Sequence, residues 1–440
     1  MNFPKDFIER VSADPFLGTE LLASLDTDPP VSVRLNPHKT NPTLDFKNPI
    51  EWCLNAWYLE NRPQYTLDPL FHAGCYYPQE AGSMVLDSVL RQLRLIDAPK
   101  ILDLCAAPGG KSTLIASFLG NKGLLVCNEV IQSRSRILKE NLTKWGYSNT
   151  IVTNNDPRDF ERLPHFFDVI VADAPCSGEG MFRKDLSSRD EWSSDNVQIC
   201  AARQKRIVSD VWEALRPGGY FIYSTCTFNE QENEQNVLFM KEELGAEIVD
   251  IQLPAPILDG RNEVGNYCIP GITMSEGFYI AVLQKADGKE KNSKWTTKKD
   301  VHPTKSTEEI ARFSISEGSE FFQWNEKILA LPKVEANAMM HVLSQLRIVK
   351  FGTLIGELQR KGIQPHEELA LNPFLLNYKQ RIELDKDAAL NFLRGDTFSL
   401  QGEIGYTLIT HQNEPLGWIK HLGNRFNNLY PKDWRIRMRP

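Results

Sequence analysis

From residue 100 onward, apolar runs about as long as a buried strand alternate with stretches whose apolar positions recur every three or four residues. That alternation predicts a parallel sheet with crossover helices. The runs fall at 101–105, 123–128, 150–153, 167–172 and 220–224, with a late one at 278–283. Between them, 133–145 and 197–215 read as amphipathic helices, the second stopped by Arg216-Pro-Gly-Gly219. Residues 96–285 are therefore expected to form a doubly wound α/β domain. Residues 1–95 mix short helical patterns with turn signals such as Asp28-Pro-Pro30 and Arg62-Pro63, and read as a small accessory domain. Residues 286–306, rich in Lys, Ser, Thr and Asp, have the composition of a solvated linker. In the remainder, 307–440, helical patterns at 335–346 and 385–393 precede short alternating strands at 406–410 and 416–420 and a basic end, an α+β arrangement.

Composition narrows the class. A chain of 440 residues with 41% apolar content exceeds what one core usually supports, so several domains are expected. The net charge of −7 argues against a surface that grips nucleic acid over its whole extent; any such contact must be local. No apolar run reaches the roughly 18 residues of a membrane span, and the first residues lack the pattern of a secretion signal, so a cytoplasmic protein without a membrane partner is expected. A monomer is the default. The eight cysteines are scattered, with no C-x-x-C pair and no nearby pair of histidines, which predicts reduced thiols and no metal site.

The first strand leads straight into Cys105-Ala-Ala-Pro-Gly-Gly-Lys-Ser112 and a helix, where small residues let the backbone close on a polar ligand. A phosphate-gripping P-loop is the rival reading. It requires a glycine five places before Gly110, and Cys105 stands there. The G-x-G-x-x-G of a dinucleotide site is absent too, while Glu129 ends the second strand about where an acidic residue holds a ribose. A ribose without a pyrophosphate fits S-adenosylmethionine. Its candidate cradle is Cys105, Ala106, Ala107, Pro108, Gly109, Gly110 and Lys111, with Glu129, Asp156 and Asp173. Asp156, just past the third strand, is a candidate acceptor for an adenine amine, although Asp in that setting is more often a turn residue.

Two cysteines carry the chemistry. Cys176 and Cys226 each follow an apolar run, so in one parallel sheet both come out at the carboxyl edge, where such sheets bind ligands. An arbitrary cysteine is usually a small buried hydrophobe, the role expected for Cys127 and Cys200 and for the Cys105 thiol. Ser112 and Ser177 lack the G-x-S-x-G setting of a serine nucleophile.

The motifs Asp103-Leu-Cys-Ala-Ala-Pro-Gly-Gly-Lys111, Asn128-Glu129, Asp173-Ala-Pro-Cys-Ser-Gly178 and Ser224-Thr-Cys-Thr227, in that order, resemble the Nop/Sun family of RNA cytosine-C5 methyltransferases. Gly74-Cys-Tyr-Tyr-Pro-Gln-Glu80 and Ser275-Glu-Gly-Phe278 resemble the segments that flank its catalytic fold, a class I (Rossmann-like) methyltransferase domain dependent on S-adenosylmethionine. Phe392-Leu-Arg-Gly-Asp396, Pro415-Leu-Gly-Trp418 and Tyr430-Pro-Lys432 resemble the PUA-like RNA-binding segment of the RsmF branch, which methylates small-subunit ribosomal RNA. The resemblance implies that Cys226 adds to C6 of a cytosine to activate C5, and that Cys176 aids release of the C5 proton and the enzyme. Asp173, protonated or bonded to the exocyclic amine, is the expected stabiliser of the ring, and Lys111 keeps the site electropositive.

RNA contacts are expected from Arg183 and Lys184 on the loop after Cys176, and from Arg34 in Ser32-Val-Arg-Leu-Asn-Pro37, which resembles an RNA-facing element of the family. The target base must leave its stack, which favours single-stranded or loop RNA. Ribosomal RNA, free or within the small subunit, is the leading substrate. Transfer RNA and a non-catalytic role in ribosome assembly are the alternatives.

Overall fold

The structure, a computed structural model, describes residues 3–18, 20–289, 295–298, 300–315, 317–396 and 398–438. Its centre is a ten-stranded sheet. The parallel core comprises β1 (Lys100–Asp103), β2 (Leu124–Asn128), β3 (Thr150–Thr153), β4 (Phe167–Asp173) and β5 (Leu215–Thr225), and β6 (Phe278–Lys285) lies antiparallel to β5. In space the order is β6-β5-β4-β1-β2-β3. The chain reverses direction across the sheet between β1 and β4, so the crevice of an open α/β fold lies at their carboxyl ends.

Side chains of these strands alternate between two cores, as a period of two demands. Leu102, Val126, Ile170 and Phe221 face one core, whereas Ile101, Leu125, Val169 and Ile222 face the other. Four helices cover the sheet: α1 (Gly110–Leu119), α2 (Gln132–Trp145), α3 (Ser194–Val211) and α4 (Glu234–Glu243). Ser193 caps α3 by accepting from the Asn196 amide, which places the helix start three residues before the first apolar position of the sequence pattern. The helix expected through 215 ends at Val211. Arg216-Pro-Gly-Gly219 lies within β5, where Phe167 pairs with Leu215 but Val169 with Tyr220, so the extra residues bulge out of the ladder.

The flanking regions attach to this sheet rather than standing apart. The amino-terminal part forms a four-stranded antiparallel sheet from Ser32–Leu35, Phe46–Pro49, Ala56–Leu59 and Tyr76–Pro78. Its helix Lys5–Ala13 sets Phe7 edge-on to Phe182, ring centroids 4.9 Å apart, and so buttresses the loop that follows Cys176. Ile348–Phe351, within the span read as carboxyl-terminal, adds an antiparallel strand beside β3. Val301–Thr304, inside the span read as a linker, is an edge strand of a five-stranded sheet; only Val301 of the four is buried, which explains why the composition looks solvated. Residues 290–294 and 299 of that span lie outside the described residues. A last four-stranded sheet combines Arg381–Glu383, Gly405–His411, Glu414–His421 and Phe426–Asn428 with the helix Lys386–Arg394. Among the described residues no helix is long and apolar enough to cross a membrane.

Candidate active site

In the β4–β5 ladder Asp173 stands opposite Ser224, so the two strands release their chains at the same height and each cysteine follows within three residues. The Sγ atoms of Cys176 and Cys226 lie 3.0 Å apart, and the Cys226 amide points at Cys176 Sγ from 3.3 Å. Both residues are half-buried. The hydrogen bond to Cys226, then burial, pushes the Cys176 thiol well above its ordinary range.

Beside the thiols, Asp173 joins β1, β4 and β5. Its Oδ2 is 2.8 Å from Lys111 Nζ, and its Oδ1 accepts from Ser224 Oγ at 2.8 Å. Burial alone would lower the Lys111 pKa, but the charge of Asp173 and the hydrogen bond to it hold it above the usual value, so the ammonium stays charged. The same ammonium lies 5.0 Å from the centroid of the Phe278 ring.

The cofactor loop fits the ligand class read from its sequence. A cavity of about 180 Å³ is lined by Asp103, Cys105, Ala106, Ala107, Pro108, Gly110, Lys111 and Asp173, with Pro78 to Glu80 and Lys184 on the facing side. Gly109 adopts φ +119° immediately before α1, a conformation that L side chains rarely take, and this turns the loop into the helix. Asp103 is fully buried; its Oδ2 accepts from Ser112 Oγ at 2.6 Å, while Oδ1 has no partner. Burial pushes its pKa up to about 7. An unpaired buried carboxyl oxygen beside this cavity fits a cationic ligand group such as the ammonium of S-adenosylmethionine. Glu129 is buried at the edge of this region, accepting from the Ile131 amide at 2.9 Å and lying 3.4 Å from Arg134, which in turn donates to the Ala107 carbonyl at 2.8 Å. The cavity lining includes neither thiol; Lys111 and Asp173 connect the two features.

Other expected site residues are placed differently. Asp156 caps the turn Pro157–Arg162, accepting from the Arg158 amide while Asp159 returns a bond to its own amide. This capping box is the turn role that Asp commonly plays, and its carboxylate is engaged there. Arg34 is buried rather than RNA-facing. Its guanidinium donates to Gln79 Oε1 at 3.0 Å, the Gly110 carbonyl at 3.2 Å and Thr113 Oγ1, and it lies 4.7 Å from the Trp145 ring centroid. It braces the start of α1 from behind. Arg183 is likewise occupied inside the protein, bonded to Glu276 at 3.0 Å and to the Ser275 carbonyl at 2.7 Å. Lys184 alone of the three is exposed, and it reaches the cavity rim.

Sequence reasoning missed a polar network beneath the thiols. Glu232 and Asn229 tie the Cys176 loop to the Cys226 loop from a stretch, Asn229-Glu-Gln-Glu-Asn233, whose composition suggests a solvated helix start. Its proximity to Ser224-Thr-Cys-Thr227 was the available signal. Among the described residues no group of three or more His, Cys, Asp or Glu gathers as a metal site.

Known proteins resemble this chain over most of its length. Residues 91–284 match the family described as 16S rRNA methyltransferase RsmB/F, residues 3–81 the N-terminal domain of 16S rRNA methyltransferase RsmF, and residues 379–436 the methyltransferase RsmF PUA domain. The ribosomal RNA small subunit methyltransferases F of Shewanella piezotolerans and Serratia proteamaculans are 31% and 32% identical to the chain, each over 88% of its length and 85% and 84% of their own. A methyltransferase homolog from Pyrococcus horikoshii superposes with a TM-score of 0.55 at 26% identity, over 64% of this chain and 96% of that one. NSun6 from the same organism shares the fold at 21% identity and a TM-score of 0.56, over 65% and 99%. The fold is that of a Rossmann-like methyltransferase that takes its methyl group from S-adenosylmethionine. Within that class, the chain belongs to the RsmB/F methyltransferase family and carries the PUA domain of the RsmF members.

Proposed function

We propose that the protein methylates C5 of a cytosine in small-subunit ribosomal RNA through a covalent bond between Cys226 Sγ and C6 of the base. The observation that carries this reading is the pair of thiols 3.0 Å apart at the carboxyl edge of adjacent strands, next to the donor cavity. The names of the relatives support ribosomal RNA as the substrate. S-adenosylmethionine, which the residue 105–111 loop with Asp103 and Glu129 would hold, would supply an electrophilic methyl group, its sulfur keeping the electron pair of the broken S–CH3 bond.

C5 of cytosine is too weak a nucleophile to take that methyl unaided. The Cys226 thiolate, stabilised by the Cys176 S–H, adds to C6; the C5–C6 double bond opens and the electron pair spreads over N3 and O2. That pair then returns through C5 to form the new carbon–carbon bond. Asp173 accepts from the exocyclic amine, a contact that uracil cannot supply. Once Cys226 is a thioether it no longer accepts a proton from Cys176, so the main cause of the elevated Cys176 pKa is gone and Cys176 gives up its proton to solvent more readily. As a thiolate it takes the C5 proton, the C5–C6 double bond re-forms, and the Cys226 thiolate leaves.

Nucleoside mass spectrometry of ribosomal RNA from a strain lacking the gene tests the reading. One 5-methylcytidine or more should disappear from small-subunit RNA and return with the intact gene. An unchanged ribosomal RNA together with a lost 5-methylcytidine in transfer RNA would move the substrate.

A further inference from the structure

Below the thiol pair lies a fully buried carboxylate that the proposed mechanism leaves unused. Glu232 Oε2 accepts from the Ser177 amide at 3.0 Å and from Gln204 Nε2 at 2.7 Å, and its Oε1 accepts from Asn229 Nδ2 at 2.8 Å. All three partners are N–H donors. Such a set of donors favours the ionised carboxylate. The same unit clamps the two loops together: Ser177 Oγ and Thr227 Oγ1 are 3.0 Å apart, Asn229 Nδ2 donates to Thr227 Oγ1 at 2.7 Å, and the Gly180 amide donates to the Cys226 carbonyl at 2.8 Å.

We propose that Glu232 is a positioning residue that decides which of the two thiols is the nucleophile. Its negative charge, delivered at the amide next to Cys176, keeps the proton on Cys176 and leaves the thiolate to Cys226. The proposal rests on the covalent reading above and adds to it the origin of the division of labour.

The charged and titratable groups facing the pair are arranged asymmetrically. Cys176 meets Glu232 from below, Tyr223 of β5 from the sheet and Cys226 across the gap; from helix α3, Gln204 donates to the carbonyl of the preceding Pro175 at 3.0 Å, and Arg203 faces Cys200. Glu179, further along the same loop, is engaged by Arg10 at 2.7 Å and by Trp192. On the open side lies the Asp173–Lys111 pair, and the Lys111 ammonium interacts with the Cys226 thiol. Buried negative charge therefore sits under Cys176, and positive charge stands over Cys226. Burial pushes the Glu232 carboxyl up from its ordinary value, while the bonds from Ser177, Asn229 and Gln204 hold it down. Two thiols at 3.0 Å with no such bias would share the proton and react interchangeably.

Thiol alkylation read by peptide mass spectrometry on the full-length chain tests this without RNA or methyl donor. In the unsubstituted protein near neutral pH, iodoacetamide is expected to label Cys226 before Cys176; the reverse order overturns the proposal whether or not any variant folds. In a Cys226→Ala background Cys176 is the reporter. Adding Glu232→Gln is expected to lower the pH midpoint of Cys176 alkylation by about one unit, the scale of a charge felt through a partly screened interior, and Glu232→Asp, which keeps the charge, is expected to restore the parent midpoint. Equal midpoints in the Gln variant and its parent, or equal shifts in the Gln and Asp variants, overturn it, because a purely structural clamp would not separate them. Failure of the cytosine reading would show elsewhere, as unchanged RNA in nucleoside analysis with the labelling order intact.

Discussion

Lys111 Nζ stands 2.8 Å from Asp173 Oδ2, joining the residue that ends the cofactor loop to the one that ends the strand before Cys176. With Oδ1 accepting from Ser224, the carboxylate is an acceptor on both oxygens, an arrangement that suits the acceptor role proposed for it toward the base. Asp173→Asn keeps the shape, turns one acceptor into a donor and removes the Lys111 counter-charge. The expected result is a fall in kcat of about 100-fold or more, on the scale of losing one preorganised polar contact at a transition state, with a much smaller change in S-adenosylmethionine affinity. Steady-state kinetics with an RNA substrate and isothermal titration of the donor separate the two; a variant with full kcat would remove Asp173 from the chemistry.

The two cysteines differ in what their loss should leave behind. Cys176→Ala removes the proposed base for the C5 proton while sparing Cys226, so a protein–RNA adduct is expected to accumulate and to survive denaturing electrophoresis. Cys226→Ala is expected to yield none. Equal behaviour of the two variants would show that neither role is assigned correctly.

Much of this site could be read from the chain because its parts are local. Strand-length apolar runs fix where β4 and β5 stop, and a residue two or three places beyond a parallel strand has little choice but the carboxyl edge; hence Cys176, Cys226, Asp173 and the residue 105–111 loop lie where their spacing predicts. Long-range packing was not legible. Arg34 is polar and follows a turn-rich segment, which suggests a surface, yet it is buried by partners 45 to 79 residues away. The strand Ile348–Phe351 is short and joins β3 from about 195 residues downstream, so no local pattern announces it. Glu232 reads as a solvated acidic residue until its three donors, from Ser177, Gln204 and Asn229, are in place.

Arg34 makes a stability prediction that its RNA-facing expectation would not. Arg34→Ala strands the Gly110 carbonyl and Gln79 in the interior and removes the cation from the Trp145 ring. The expected loss is about 3 kcal/mol, the scale of breaking charged hydrogen bonds to buried groups, with weaker donor binding because the start of α1 loosens. Arg34→Lys should recover little, since an ammonium cannot reproduce the fork. Denaturant unfolding measures the loss; unaltered stability with impaired RNA binding would return Arg34 to the RNA surface.

Asp103 predicts a pH dependence. Its pKa is raised from 3.8 to about 7 in the fold without the donor, so over that window the folded chain holds a proton that the unfolded chain has lost. Its contribution therefore falls as pH rises from about 3.8 to about 7 and is level above. A cationic donor bound beside the free Oδ1 reverses the preference and favours the ionised carboxylate. S-adenosylmethionine affinity is expected to rise from pH 6 to pH 8, with about one proton released on binding below pH 7. Calorimetry in buffers of different ionisation enthalpy measures that proton, and Asp103→Asn should abolish its release. A flat affinity profile in the unsubstituted chain would separate Asp103 from the donor.

Of the three expected RNA contacts, Lys184 is the one that the structure leaves exposed. It lies exposed on the rim of the donor cavity and also borders the adjoining groove of about 360 Å³, where Arg62 and Tyr65 offer a second cation and a ring. Its neighbour Arg183 is committed to Glu276 and Ser275, so the two adjacent cations should respond differently to removal. Lys184→Ala is expected to weaken RNA binding, to reduce the slope of log affinity against log salt by about 0.7, the value for one phosphate contact on a single strand, and to leave thermal stability unchanged. Arg183→Ala is expected to lower stability instead, because Glu276 keeps a buried charge without its partner. Salt titrations of RNA binding, paired with melting curves, test both at once. An unchanged salt slope for Lys184→Ala would place the RNA path on another face of the cavity.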